Sequence, residues 1–452
     1  MQVKDEIFRM YDIRGIVETG LTDDLVFALG RAYGTLIRRN RGVEVSVGYD
    51  ARLSSPHLHD VLITGITSTG INVMDIGMVP TPLLYFSVFH YNLDGGIMIT
   101  GSHNPKEYNG FKIMIEKETL FGDGIQKLKA MIINSDFLEG KGELRKKDVS
   151  MDYLEKVLSI TYPGRKLRVI LDPGNGTAGP IAVKCFERIG ADVECINCEP
   201  DGNFPAHLPD PTIPEYMEQL KQVVLEKKAD FGVGYDGDAD RIGVIDERGR
   251  IIWGDKLLGI FSKYVVKRFP NSHIIFDVKC SQGVEEYIES IGGKPYMWKT
   301  GHSLIKAKMK ELRSPLAGEM SGHIFCGGDY YGYDDAIFAS LRLYEILSKS
   351  DKPISAHVDE IPSYFTTPEI RIETTEKKKW EIVEKVKEHF RKEYRTIEID
   401  GVRILFGDGW GLIRASNTQP VIVARFEAKT KERLEEIKNL VLGFVDAIKG
   451  TV

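Results

Sequence analysis

The sequence predicts an α/β protein made of three similar α/β domains followed by a smaller C-terminal α+β domain. Three observations predict it. Helical and strand periods alternate along most of the chain. Three segments repeat one plan, a strand ending on an acid and running through a loop into a helix. And 452 residues are too many for one core, which sets a prior of three or four domains of about 100–150 residues each.

In the first segment residues 43–49 are the strand and Asp50 the acid, and a later strand over 96–100 leads to Ser102. In the second, a strand ending at Asp172 precedes the small-residue turn Pro173-Gly-Asn-Gly-Thr-Ala-Gly179, and residues 231–235 lead to Asp236. In the third, a strand ending at Asp277 precedes Cys280-Ser-Gln-Gly283, and residues 315–318 lead to Glu319. Open α/β sheets bind ligands beyond the C-terminal ends of their strands, so three such ends can converge on one cleft. The tail differs. It reads as a strand over 369–373, a charged amphipathic helix over 377–393, short strands, the loop Arg414-Ala-Ser416-Asn417-Thr418-Gln-Pro420, a strand over 421–426 and a last helix over 431–449. Boundaries are expected at Lys146-Lys147-Asp148, at Glu247-Arg-Gly-Arg250 and at Pro362-Ser-Tyr-Phe-Thr-Thr-Pro368, giving domains 1–150, 151–250, 251–365 and 366–452.

Bulk properties exclude several classes. Hydrophobic residues make up 42% and charged residues 28%, the balance of a soluble globular protein. A net charge of −6 gives no electrostatic reason to expect nucleic acid or an anionic membrane as partner. The start, Met1-Gln-Val-Lys-Asp-Glu, has no apolar stretch of signal-peptide type, and no run approaches the roughly 20 apolar residues of a spanning helix. Five cysteines do not make a disulfide framework, and the lone Cys195-Ile-Asn-Cys198 is expected to be a pair of reduced structural thiols. A cytoplasmic enzyme is the expectation.

Thr100-Gly101-Ser102-His103-Asn104-Pro105 presents a serine on a tight turn at the end of an apolar strand, with His103 beside it and Lys112 shortly after. A hydroxyl becomes a nucleophile only with a base and a positive field, and this run supplies candidates for both. Asp236-Gly-Asp238-Ala-Asp240-Arg241 places carboxylates on alternate residues, which repel unless a cation sits among them. An EF-hand is excluded, because Arg241 stands where its turn needs glycine and strands flank the loop. The cluster suits Mg²⁺ shared with a phosphate that Arg241 would hold. In Gly318-Glu319-Met320-Ser321-Gly322-His323, an extended loop would point Glu319 and Ser321 to one side, where both can bond sugar hydroxyls. His302, in Lys299-Thr-Gly-His302, adds an imidazole. Arg414, Ser416, Asn417 and Thr418 make a dense donor set for a phosphate, and no Walker sequence is present. Arg14, in Tyr11-Asp-Ile-Arg14-Gly15, is a candidate support for a phosphate on the serine.

With these loops in this order, the chain resembles the α-D-phosphohexomutase family over its whole length, and within it the phosphomannomutase/phosphoglucomutase branch. The resemblance implies four domains with mixed sheets in the first three, around a central active-site cleft. It implies a serine, Ser102, that is phosphorylated in the active enzyme, and Mg²⁺ on Asp236, Asp238 and Asp240 with the phosphoserine adding an oxygen. Glu319 and Ser321 match the readers of sugar hydroxyls. Arg414, Ser416, Asn417 and Thr418 match the site of the phosphate not being transferred. Tyr11, His103, Lys112, Arg14, Arg241, His302 and His323 match cleft positions for proton transfer and for phosphate or sugar contact, with Lys112 the expected general acid/base. The activity implied is interconversion of hexose 1- and 6-phosphates of mannose or glucose through a hexose 1,6-bisphosphate. Partners are then small sugar phosphates, with neither nucleic acid nor membrane, and a homo-oligomer is compatible. Met320 and Asn417, where glucosamine-phosphate members usually carry Gln and Gly, favour the mannose/glucose type. The alternatives are a phosphoglucosamine mutase and a Mg²⁺-dependent sugar-phosphate phosphatase.

Overall fold

The computed structural model describes residues 3–417 and 419–449. The first domain holds β1 (Ile13–Ile16), α1 (Asp23–Arg39), β2 (Glu44–Tyr49), α2 (Ser55–Thr67), β3 (Asn72–Met78), α3 (Thr81–His90), β4 (Gly95–Ile99), β5 (Tyr108–Ile115), β6 (Glu118–Thr119), α4 (Asp123–Ile133) and β7 (Leu144–Lys146). Its sheet runs β1-β5-β4-β2-β3-β7, with β6 on β5. Strands β4, β2, β3 and β7 are mutually parallel, and β5 and β1 are antiparallel additions.

The second domain holds α5 (Ser150–Ser159), β8 (Arg168–Asp172), α6 (Gly179–Arg188), β9 (Asp192–Cys195), α7 (Glu218–Lys227), β10 (Phe231–Tyr235), β11 (Ile242–Asp246) and β12 (Ile251–Ile252), in the order β12-β11-β10-β8-β9. The third holds α8 (Gly254–Arg268), β13 (His273–Asp277), α9 (Gln282–Ser290), β14 (Lys294–Trp298), α10 (His302–Leu312), β15 (Leu316–Gly318), β16 (Ile324–Cys326), α11 (Ala336–Ser348) and α12 (Ile354–Val358), in the order β14-β13-β15-β16. The fourth holds β17 (Phe365–Thr366), β18 (Ile370–Glu373), α13 (Glu376–Phe390), β19 (Arg395–Ile397), β20 (Val402–Leu405), β21 (Gly409–Ala415), β22 (Val421–Ala428) and α14 (Lys431–Lys449) around a wholly antiparallel sheet.

One device recurs. In each of the first three domains a parallel strand turns back into an antiparallel neighbour: β4 into β5, β10 into β11, β15 into β16. The serine, aspartate and Glu319 loops are these three hairpin connections. The loop after Arg414 is a fourth, between β21 and β22. Strands β4 and β10 are buried along their whole length, as parallel strands covered on both faces must be. A buried strand leaves its polar residues only one place to go, the connection at its end.

The cores are unequal. One runs without a break through α3 and the second and third domains, taking in Phe86, Tyr153, Phe186, Phe231 and Phe338. The fourth domain has its own, built on Ile382, Val386, Phe426 and Val441. A small patch of Val278, Trp410 and Leu412 joins it to the third domain. Around that patch Arg403 donates to the carbonyls of Val278 and Cys280, both at 2.9 Å, and Arg425 to that of Lys279 at 2.6 Å. The main-chain N–H of Gln282 donates to Glu427 at 2.8 Å.

Two expectations are corrected. Cys195 and Cys198 are joined in a disulfide, not a pair of free thiols. Asn197, at φ +50°, turns the chain back beyond β9 and brings the two Cα atoms to 5.7 Å, within bridging range. The Glu319–Ser321 loop is a tight turn, not an extended segment: the N–H of Gly322, at φ +92°, donates to the Glu319 carbonyl at 3.0 Å. Strand alternation therefore does not align Glu319 with Ser321.

Candidate active site

Ser102 is buried and has φ +47°, a left-handed conformation unusual for serine. The loop over-determines it. The Ser102 N–H donates to Thr100 Oγ1 at 2.8 Å and that of Gly101 to Asp50 Oδ2 at 3.0 Å. Arg52, fully buried and paired with Asp50 at 3.2 Å, donates to the carbonyls of Ser102 (2.8 Å), Asn104 (2.5 Å), Pro105 (2.6 Å) and Tyr108 (3.0 Å). The Ser102 hydroxyl donates to Asp236 Oδ2 at 2.7 Å and lies 3.0 Å from His103 Nδ1. The serine and aspartate loops thus meet face to face. Gly237 permits it, since a Cβ there would stand 2.5 Å from the Ser102 carbonyl.

The carboxylates of Asp236, Asp238 and Asp240 are buried, with oxygens within 4.8 Å of one another. Asp236 Oδ1 accepts the N–H groups of Asp240 and Arg241 at 3.0 and 3.1 Å. Asp238 Oδ2 accepts the hydroxyl of Thr81 and the ammonium of Lys112, which also bonds Asp240. Burial, then repulsion from Asp240 and Asp238, pushes the Asp236 carboxyl well above the usual range. Burial acts the same way on Asp240, but Lys112 and His323 outweigh it and hold that group low. Burial works against the Lys112 ammonium, and Asp238 and Asp240 outweigh it, so the amine is raised and stays charged. One oxygen each of Asp238 and Asp240 is buried without a hydrogen-bond partner. A set of oxygen donors, under-compensated in charge and with spare lone pairs, fits a hard divalent cation.

Around Ser102 lies a cavity of about 130 Å³. It gathers Tyr11, Arg14, His103, Lys112, Asp240, Arg241, His302 and His323 of the expected residues, with Arg9, Asp12, Asn104 and Gln419. Arg14, inside β1, donates to Asn104 at 2.6 Å and pairs with Asp12 at 2.7 Å. Arg241 Nε donates to His323 Nε2 at 3.0 Å. Across its ring, His323 Nδ1 stands 3.1 Å from Asp334, whose other oxygen takes the Lys306 ammonium at 2.9 Å. His302, the first residue of α10, stacks on His323 with centroids 5.7 Å apart. The Tyr11 hydroxyl donates to the Thr300 carbonyl at 2.9 Å and accepts from Asn417 at 2.5 Å, so first, third and fourth domains meet at one phenol.

Asp236 and Asp238 lie beneath this cavity, under Ser102 and Lys112, and do not line it; nor do Glu319, Ser321, Arg414, Ser416 and Asn417. Glu319 is buried and accepts the Gly301 N–H at 2.5 Å, and burial raises its carboxyl. Arg414 donates to Asp400 at 3.0 Å. Thr418 lies outside the described residues. Sequence reasoning missed Arg52, Lys306, Asp334 and Lys379. The last is a buried lysine of α13 that donates to the carbonyls of Ser416 (2.6 Å) and Gln419 (3.1 Å) and so shapes the fourth loop. A lysine on the apolar stripe of a helix was the available signal for Lys379.

Burial, then the charges of Arg241 and Arg14, drives the His103 imidazole well below its usual pKa. A histidine lowered in this way stays neutral as pH falls from 8 to 6. In the protein with a free Ser102 hydroxyl, its ring resonances are expected not to move across that range, which a ¹³C–¹H correlation titration checks; a midpoint near 6.5 refutes the shift.

Comparison with known proteins adds independent findings. Residues 5–139, 150–249 and 253–365 match the family descriptions "Phosphoglucomutase/phosphomannomutase, alpha/beta/alpha domain" I, II and III, and residues 369–443 match the C-terminal domain of the same series. The chain is 45% identical over 448 residues to a phosphomannomutase/phosphoglucomutase of Pseudomonas aeruginosa, covering 99% of this chain and 96% of the relative. It is 42% identical over 439 residues to a phosphoglucomutase of Neisseria gonorrhoeae, covering 96% and 95%. A crystal structure of a phosphoglucomutase/phosphomannomutase family protein from Burkholderia thailandensis superposes with a TM-score of 0.94 at 38% identity, over 99% of this chain and 98% of the other.

Proposed function

The chain belongs to the phosphoglucomutase/phosphomannomutase family, and from that premise we propose that it moves a phosphoryl group between the 1- and 6-positions of mannose and glucose phosphates, with Ser102 as the carrier. It is an isomerase of the phosphotransferase type. The observation that carries the residue-level reading is the Ser102 hydroxyl resting on Asp236, where the serine and aspartate loops meet.

In the first half-reaction the bond between phosphorus and Ser102 Oγ breaks as one forms to the free hydroxyl of a hexose phosphate, and the hydroxyl proton passes to a protein group. The bisphosphate turns over, and the second half-reaction returns its other phosphate to Ser102. Arg14 and Arg241, both lining the cavity, hold the transferring oxygens. Asp236, Asp238 and Asp240 would hold Mg²⁺, which when bound polarises the phosphoryl oxygens. Lys112, held charged by two carboxylates, suits donation and charge stabilisation better than proton abstraction. The neutral imidazole of His103 stands beside it for the opposite transfer, with the rings of His302 and His323 in the same cavity. Glu319 and Ser321 read sugar hydroxyls, and Arg414, Ser416, Asn417 and Thr418 take the idle phosphate. The substrates are soluble metabolites, which accords with a cytoplasmic enzyme.

The cavity of about 130 Å³ is smaller than the roughly 300 Å³ at which small-molecule sites begin. Sugar entry therefore requires the fourth domain, with its separate core, to part from Tyr11 and close again to exclude water. Lys379→Met should loosen the fourth loop and raise KM for glucose 1-phosphate about tenfold, the effect of one charge-assisted hydrogen bond, with kcat changed less. An unchanged KM removes Lys379 from this role. The function is tested by a coupled assay with Mg²⁺ and a trace of glucose 1,6-bisphosphate, comparing mannose, glucose and glucosamine 1-phosphates. Formation of 6-phosphates supports the mutase, and preference for glucosamine 1-phosphate would move the chain to the amino-sugar type. Release of inorganic phosphate without isomer would leave a phosphatase.

A further inference from the structure

A second cavity lies apart from Ser102. It has a volume of about 790 Å³, lies between the first and third domains, and shares no lining residue with the catalytic cavity. One wall is aromatic: Phe89 lies 5.1 Å from Tyr331 and 5.6 Å from Tyr333, ring centre to ring centre, and those tyrosines stack at 13°. The charges are uneven. Lys117, Lys306, Lys310 and Arg313 line it against only Glu118 and Glu311. Both carboxylates are engaged, Glu118 by Lys310 and Glu311 by Lys308. Among the described residues neither Lys117 nor Arg313 pairs with a carboxylate.

We propose that this cavity is a second binding site, for a nucleoside diphosphate. A flat base stacks on the partly exposed rings of Phe89 and Tyr331, which Tyr333 backs from within, and the phosphates meet Arg313 and Lys117. A sugar phosphate alone would leave most of the aromatic wall unused. The site bears on the catalytic centre through one helix. Helix α10 begins at His302 in the catalytic cavity, and Ser303 and Lys306 on the same helix line this one. Lys306 lies 4.2 Å from the centre of the Tyr85 ring while bonded to Asp334, the residue that faces His323. The proposal needs no reaction at Ser102, so it stands or falls apart from the reading above.

Isothermal titration of the full chain with ADP, GDP and UDP in Mg²⁺ tests it. At least one should bind with submillimolar affinity and one equivalent per chain, and saturating glucose 1-phosphate should leave that binding in place. Tyr331→Ala and Arg313→Glu, one on the stacking wall and one at an exposed position, should each weaken it about tenfold or more. Absence of heat with all three nucleotides overturns the proposal. So does competition by glucose 1-phosphate, which would place the nucleotide in the catalytic cleft, or binding indifferent to both substitutions. A second equivalent of glucose 1-phosphate that the same substitutions abolish would overturn the ligand class.

Discussion

Ser102→Ala is expected to lower kcat/KM for glucose 1-phosphate by about 10⁴- to 10⁶-fold, the scale seen when a covalent carrier is removed. The substitution deletes one oxygen, which donates to Asp236 and adjoins His103. The main-chain bonds that set the turn, from Ser102 N–H and to the Ser102 carbonyl, do not involve that oxygen and should survive. Substrate affinity measured by titration should therefore change little while turnover disappears. Incubation with radiolabelled glucose 1,6-bisphosphate should label the wild type at this serine and leave the variant unlabelled. A variant that keeps even a hundredth of the wild-type rate would require another carrier.

Arg52→Met should nearly match it, by a different route. The guanidinium is buried under the serine loop, and burial lowers its pKa despite the opposing charge of Asp50. Methionine keeps much of the volume, so little cavity forms. What is lost is the fork. Four loop carbonyls lose their donor and Asp50 its cation. Breaking a buried pair of this kind costs about 3–5 kcal/mol. The positive φ at Ser102 is no longer enforced, and the hydroxyl drifts off Asp236, which should lower kcat by about 100-fold or more. Arg52→Lys should rescue only part, because a point ammonium cannot reach four acceptors at once. Denaturant titration and steady-state kinetics read the two effects. Stability and kcat both within twofold of wild type would show that the loop holds its shape without Arg52.

These two residues mark what could be read from the chain and what could not. Ser102 stands in a local signal: an apolar run, a turn, a histidine. The aspartate loop is equally local, since its spacing alone implies crowded carboxylates. Strand ends were legible because β4 and β10 are apolar throughout and the period stops at their ends. Arg52 carries no such mark. Its acceptors are carbonyls some 50 residues away, and a carbonyl is the same whichever residue bears it. Lys306 and Asp334 are hidden in the same way, each meaningful only through a partner on another element. The disulfide depended on a reversal at Asn197 that its sequence leaves open, and the turn at Glu319 on a positive φ at Gly322, which glycine permits but does not compel.

The joint between the third and fourth domains has an evolutionary consequence. Arg403 and Arg425 reach only carbonyls there, and Glu427 is met by a main-chain N–H. Main-chain atoms do not mutate. These contacts can persist while side chains on the third domain's surface drift, provided the backbone keeps its path, unlike the Lys279–Glu369 ion pair at 3.6 Å, which needs a third-domain side chain. The last domain is in that sense a heritable cartridge. A chimera carrying this segment from a distant relative should assemble wherever its arginines are retained, and substrate preference could be exchanged between lineages by recombination at the linker before β17 without first re-evolving the fit.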